Sequence, residues 1–210
     1  MATTTSPPEQ GARLGSSLRA GLMVAAVVGV AVFVVLAVAV WHVHGLVSLD
    51  GTYRVSLGNP RLERVAWLGS PPFVLTVAGL LAIVSWARRD RLAAVVCAAA
   101  PPLAGLCEIG TKHVVVRTLT TGLSYPSGHA ALSAALATVV AVVAFRVLEW
   151  RAAAAVTAAA AVVPVVVSYA VVRLAWHAPT DVVGGTALGV AIACGIALLL
   201  DRTSRKIRTN

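Results

Sequence analysis

Charge is scarce in this chain. Asp, Glu, Lys and Arg make up 12% of its 210 residues, against roughly 25% in a soluble domain. The few charges are clustered, which leaves long uncharged runs and excludes an ordinary soluble globule. Cysteine is nearly absent. Cys97, Cys107 and Cys194 each fall inside an apolar run, with no metal-ligand spacing and no obvious pairing. A disulfide framework or a metal site is therefore not expected, and the three read as small core residues. Aromatics are 5% of the chain and are not interleaved with a basic stripe, so the net charge of +9 does not point to nucleic acid. No apolar run carries a charge pair at mid-depth, as a transporter would. Neither an internal repeat nor a second domain is visible.

What is abundant is apolar side chain: 59% of residues, with a mean hydropathy of +0.87. Crossing a bilayer takes roughly 20 apolar residues, because about 30 Å of hydrocarbon is spanned at 1.5 Å per residue. Runs at about 20–41, 65–87, 92–111, 128–145, 152–175 and 180–200 meet or approach that length. Ala37-Val38-Ala39, with Arg13 and Arg19 ahead of the run, resembles a signal-peptide cleavage site. The run exceeds the roughly 7–15 residues of a signal core, so an uncleaved helix is expected. Pro101-Pro102 should kink the third span or end a half-helix there. The expected architecture is all-α, an integral membrane bundle of six transmembrane helices over residues 19–201. A disordered cytoplasmic tail (1–18) and a basic cytoplasmic tail (202–210) flank it.

Lys and Arg set the orientation. The N-terminal tail, the loops after spans two and four, and the C-terminal tail together carry eleven, and the other three loops carry six. The richer side is expected to be cytoplasmic. Both termini are then inside, and the loops beginning at His42, Lys112 and Arg173 are outside.

Three segments on that outer side hold most of the polar chemistry: Lys112-His113-Val114-Val115-Val116-Arg117, Tyr125-Pro126-Ser127-Gly128-His129, and the stretch from Arg173 to Asp181. Taken singly, each charged residue has a bland reading, since Lys and Arg at span ends often only snorkel to the interface. Glu108, one turn before Lys112, is expected to pair with it. Taken together, two His, an Asp, a Lys and two Arg meet on one face of a chain with only five His and eight acids. A phosphate monoester needs this set. Lys112, Arg117 and Arg173 supply cations. Ser127-Gly128 at the start of the fourth span offers free backbone N–H groups and the positive end of a helix dipole. His177 and Asp181 are four apart, so a carboxylate can fix one imidazole nitrogen and leave the other free to attack. His129 is placed to protonate a departing alkoxide.

Pro126-Ser127-Gly128-His129, followed by His177-Ala178-Pro179-Thr180-Asp181 and preceded by Lys112, resembles the type 2 phosphatidic acid phosphatase family. These are membrane lipid phosphatases that share a site with vanadium haloperoxidases. The resemblance covers roughly residues 65–200. It implies that His177 is a nucleophile forming a phosphohistidine, that Asp181 orients it and that His129 is the general acid. It further implies that Lys112, Ser127 and Gly128 bind phosphate, and that no metal or other cofactor is required. Two positions depart from the family's pattern. Its first motif has Lys, six residues, then Arg-Pro, where this chain has Leu119-Thr120 and instead Arg117 five after Lys112. Its third has Ser-Arg ahead of the nucleophilic His, where this chain has Ala170-Val171 and instead Arg173 four before His177. The expected partners are the bilayer and a lipid phosphate, with no nucleic acid. The lipid is a polyprenyl phosphate or diphosphate, a sugar-phosphate-bearing polyprenyl lipid, phosphatidic acid or phosphatidylglycerol phosphate. The expected location is a bacterial inner (plasma) membrane. A phosphotransferase using the same phosphohistidine and a catalytically silent lipid-binding protein are the alternatives.

Overall fold

A computed structural model describes residues 14–119 and 122–207. Hydrocarbon offers no partner to a backbone N–H or C=O, so each apolar run closes its own hydrogen bonds as helix. The α-helices are α1 (Ser16–Ala39), α2 (Pro60–Trp67), α3 (Pro71–Ala87), α4 (Arg91–Val115), α5 (Gly128–Val147), α6 (Trp150–Arg173) and α7 (Pro179–Ile207). Between α4 and α5 lies a small antiparallel hairpin, β1 (Thr118–Leu119) with β2 (Gly122–Leu123). Among the described residues, six stretches are long and apolar enough to cross a membrane, with α2 and α3 together forming one. The chain is a multi-pass membrane protein of the expected class.

Several boundaries differ from the sequence reading, each for a local reason. The second span is two helices, because Pro71 and Pro72 lack the N–H groups that would continue α2 and instead open α3. Conversely, α4 runs unbroken through Pro101-Pro102, so no half-helix ends there. It also continues past Thr111, which makes Lys112 a last-turn helical residue and not the start of a loop. At the chain ends, α1 begins at Ser16, inside the stretch expected to be a disordered tail, and α7 carries helix on to Ile207 through most of the expected basic tail. Residues 1–13 and 208–210 lie outside the described residues.

The centre of the bundle is α7, which packs on α1, α4 and α5, while α5 also packs on α4 and α6. Small residues let α5 and α7 meet backbone to backbone. A side chain at Gly185 would meet the Ser127 carbonyl and one at Gly189 the Ala131 carbonyl, both well inside van der Waals contact. The two ends of the bundle differ in chemistry. At one, Asp90 caps α4 and takes two hydrogen bonds from Arg146, at 2.6 and 2.8 Å. At that end also, buried Asp201 accepts from the Leu14 N–H. At the other end lie the starts of α5 and α7 and the end of α4, the face that carries the candidate chemistry.

The α5–α7 contact gives a stability test. Gly189→Leu forces a side chain into the Ala131 backbone, and overpacking of this kind costs about 1–3 kcal/mol or more. Its melting temperature in detergent should fall well below that of Gly195→Leu, because a side chain at Gly195 meets nothing within 4 Å. Equal melting temperatures would show that this contact does not hold the bundle.

Candidate active site

Two helix starts meet here. Ser127 is the N-cap of α5, its hydroxyl accepting from the Ala130 N–H. Its own N–H donates to the Asp181 carbonyl at 2.9 Å. Asp181 sits in the first turn of α7, behind Pro179. Its Oδ2 accepts from the Ala178 N–H at 3.0 Å, satisfying a donor that the helix start would otherwise orphan. The same Oδ2 lies 3.7 Å from His177 Nδ1, beyond hydrogen-bonding distance. That nitrogen is buried and has no hydrogen-bond partner among the described residues. With Nδ1 turned to Asp181, Nε2 is the nitrogen left for chemistry.

His129, on the first turn of α5, is half-buried against Trp176, ring centroids 5.6 Å apart. It lies within electrostatic reach of both His177 and Lys112. Its backbone is fixed from behind by the α2–α3 turn, where a side chain at Gly69 would strike the His129 carbonyl. Lys112 pairs with Glu108 at 2.6 Å, one turn back on α4. The Glu108 carboxylate in turn rests on Gly128, and a Cβ there would come within 3.1 Å of it. A carboxylate thus occupies the N-terminal end of α5, where a helix favours an anion.

The two arginines are placed differently from the expectation that they bind phosphate. Arg117 is wholly buried. One Nη donates to Asp181 Oδ1 at 2.7 Å and also to the Thr180 hydroxyl. The other donates to Asp50 Oδ2 at 2.6 Å and to the Gly45 carbonyl at 3.1 Å. The chain turns it inward at Val116, a β-branched residue held at φ 54°, a strained conformation that costs on the order of 1–3 kcal/mol. Arg173 ends α6 and donates to Tyr169 Oη and Ser56 Oγ, both at 2.7 Å. It ties the first loop to α6. The helix stops at Arg173, so the four-residue spacing to His177 is not a helical turn.

Asp50 was not singled out as a site residue by the sequence. It lies in a short 3₁₀ turn, Ser48–Asp50, between α1 and α2. Its side chain is fully buried and also accepts from the Val47 and Thr180 N–H groups and the Thr180 hydroxyl. Burial pushes its carboxyl up, but the donors from Val47, Thr180 and Arg117 outweigh this and hold it below the ordinary 3.8.

The PAP2 superfamily profile matches residues 72–205, which contain the whole cluster except Asp50 and its loop. The chain belongs to the PAP2 superfamily. No curated protein matches it significantly. Among solved structures, this PAP2 chain resembles a transmembrane PAP2-type phosphatidylglycerolphosphate phosphatase from Bacillus subtilis. Identity is 19% and the TM-score 0.53, over 92% of this chain and 94% of that one. At that identity the likeness shows a shared fold.

The lowered Asp50 carboxyl has a direct consequence. A carboxyl depressed in the folded state stabilises above its unfolded pKa, and that contribution is lost as pH falls through the folded value. Acidification below about pH 4 should therefore lower the melting temperature of the purified protein. Asp50→Asn, less stable at neutral pH, should show a shallower decline. Parallel declines in thermal unfolding would contradict the buried ion pair.

Proposed function

We propose that this chain is a membrane lipid phosphatase that hydrolyses a phosphate monoester or diphosphate through a phosphohistidine at His177. The reading is carried by the hydrogen bond that joins the starts of α5 and α7, from the Ser127 N–H to the Asp181 carbonyl. Because of it, a nucleophile with its carboxylate partner and a helix start bearing a second His share one end of the bundle. PAP2 membership supports the same chemistry. By the Lys and Arg balance, that end faces away from the cytoplasm, and both termini are cytoplasmic. The membrane is a bacterial plasma membrane.

In the first step Lys112 exchanges Glu108 for the phosphate, and the free N–H groups of the first turn of α5 take its oxygens. His177 Nε2 attacks phosphorus. A P–N bond forms and the P–O bond to the lipid breaks. His129 gives its proton to the leaving alkoxide. As His177 becomes cationic, the 3.7 Å gap to Asp181 closes into a charge-assisted hydrogen bond. Water then attacks the phosphohistidine, its proton passes to His129, the P–N bond breaks and inorganic phosphate leaves. A headgroup site at the end of the bundle suits a substrate whose chains stay in the bilayer, whether polyprenyl or glycerolipid. An alcohol in place of water would make the same intermediate a phosphotransferase, which product analysis separates.

One observation favours a second reading. Lys112 and Arg117 are both held by carboxylates, the arrangement of a site that binds anionic lipid weakly and does not turn it over.

Phosphate release by purified protein in detergent, over a panel of lipid phosphates, decides between the two readings. Turnover is expected to resist chelator and to fall to background in His177→Ala. His129→Ala should lose about 10²–10⁴-fold on a lipid alkoxide and much less on an aryl phosphate, whose leaving group needs no proton. Lipid binding without turnover, unchanged in His177→Ala, would establish the silent reading.

A further inference from the structure

We infer that Asp50, in the loop between α1 and α2 and outside the family-matched region 72–205, is a positioning residue for the catalytic pair His177–Asp181. The inference rests on the phosphatase reading for what is positioned, and on geometry for how. Arg117 has one Nη on Asp181 at 2.7 Å and the other on Asp50 at 2.6 Å. Asp50 also takes the Thr180 N–H at 3.0 Å and the Thr180 hydroxyl at 2.7 Å, so it grips the residue next to Asp181 on the first turn of α7. Both carboxylates and the guanidinium are fully buried.

The charges explain what the loop residue does. Arg117 facing Asp181 alone would hold that carboxylate as a tight ion pair and oppose the cation that develops on His177. With Asp50 on the other side, the guanidinium is shared, and Asp181 keeps negative charge to offer His177 Nδ1. The grip on Thr180 fixes the direction in which that carboxylate points. A misplacement of about 1 Å at such a site costs up to roughly a hundredfold in rate. The first loop, tied down again where Arg173 holds Ser56, is thus part of the working site and not a linker. Arg117 acts there through Asp181 and not on the phosphate.

Two variants and two readouts test this in the full chain in detergent. Asp50→Asn keeps the shape and removes the charge, and Thr180→Val is a milder cut at the same carboxylate, available if the first variant is too unstable. In Asp50→Asn, kcat on a lipid phosphate is expected to fall about ten- to a hundredfold. KM should stay within about twofold, the signature of a group that does not bind substrate. Thr180→Val should fall less, in the same direction. The second readout needs no turnover. Carbethoxylation of His177 by diethyl pyrocarbonate, followed by mass spectrometry, should change in rate by threefold or more, while exposed His113 stays as in the wild type. Unchanged kcat, or a loss confined to KM, would overturn the inference, as would an unchanged His177 modification rate. If the wild type releases no phosphate from any lipid, the phosphatase reading fails by itself, and the modification rates alone decide whether Asp50 positions His177.

Discussion

A guanidinium buried at the end of a membrane bundle has to be matched by carboxylates, and the rest of this site is arranged around that requirement. Arg117 lies between Asp50 and Asp181. Removing one partner of a buried ion pair costs about 3–5 kcal/mol, because the other charge is left uncompensated. The loop before α2, the turn after α4 and the start of α7 are therefore tied to one another at Arg117, whose partners lie 67 residues before it and 64 after it. The strained Val116 backbone is the local cost of turning Arg117 into that position.

The second constraint is distance between helices. Asp181 and Ser127 touch through their backbones only because Gly185 and Gly189 let α7 lie directly on α5. Gly128 does the same for α4, where it leaves room for Glu108 and through it positions Lys112. Asp181, Ser127 and His129 of the candidate site are thus carried on helix starts whose spacing is set by missing side chains. The rigid elements hold the geometry, as a precise site demands. The Glu108 carboxylate rests against the N-terminal end of α5 and pairs with Lys112, so on the proposed mechanism anion binding is an exchange of one carboxylate for one phosphate at Lys112.

Much of this was legible in the sequence. The six spans stood out because charge is confined to their ends, and the segments holding Ser127, Gly128, His129, His177 and Asp181 stood out because polar groups gather there on one face of a chain with only five His and eight acids. The pairing of Lys112 with Glu108 followed from helical spacing alone. What could not be read were tertiary relations. Pro71-Pro72 split a span whose average hydropathy hid the break. Pro101-Pro102 ends no half-helix, since α4 continues through both residues. Two-residue strands carry no periodic signal. Asp50 had no spacing relation to anything catalytic, and the only hint was that it is one of eight acids in the chain. For Arg117, spacing gave a cation near a phosphate site but could not reveal that two carboxylates already share it.

The central claim is a covalent one: the phosphoryl group passes through His177. Rapid alkaline quenching of the protein during turnover of a lipid carrying radiolabelled phosphate, followed by peptide mapping, tests it directly. The expected result is an acid-labile, base-stable label on His177, absent from His177→Ala. Phosphate release with no trapped label, or with the label on another residue, would contradict the account.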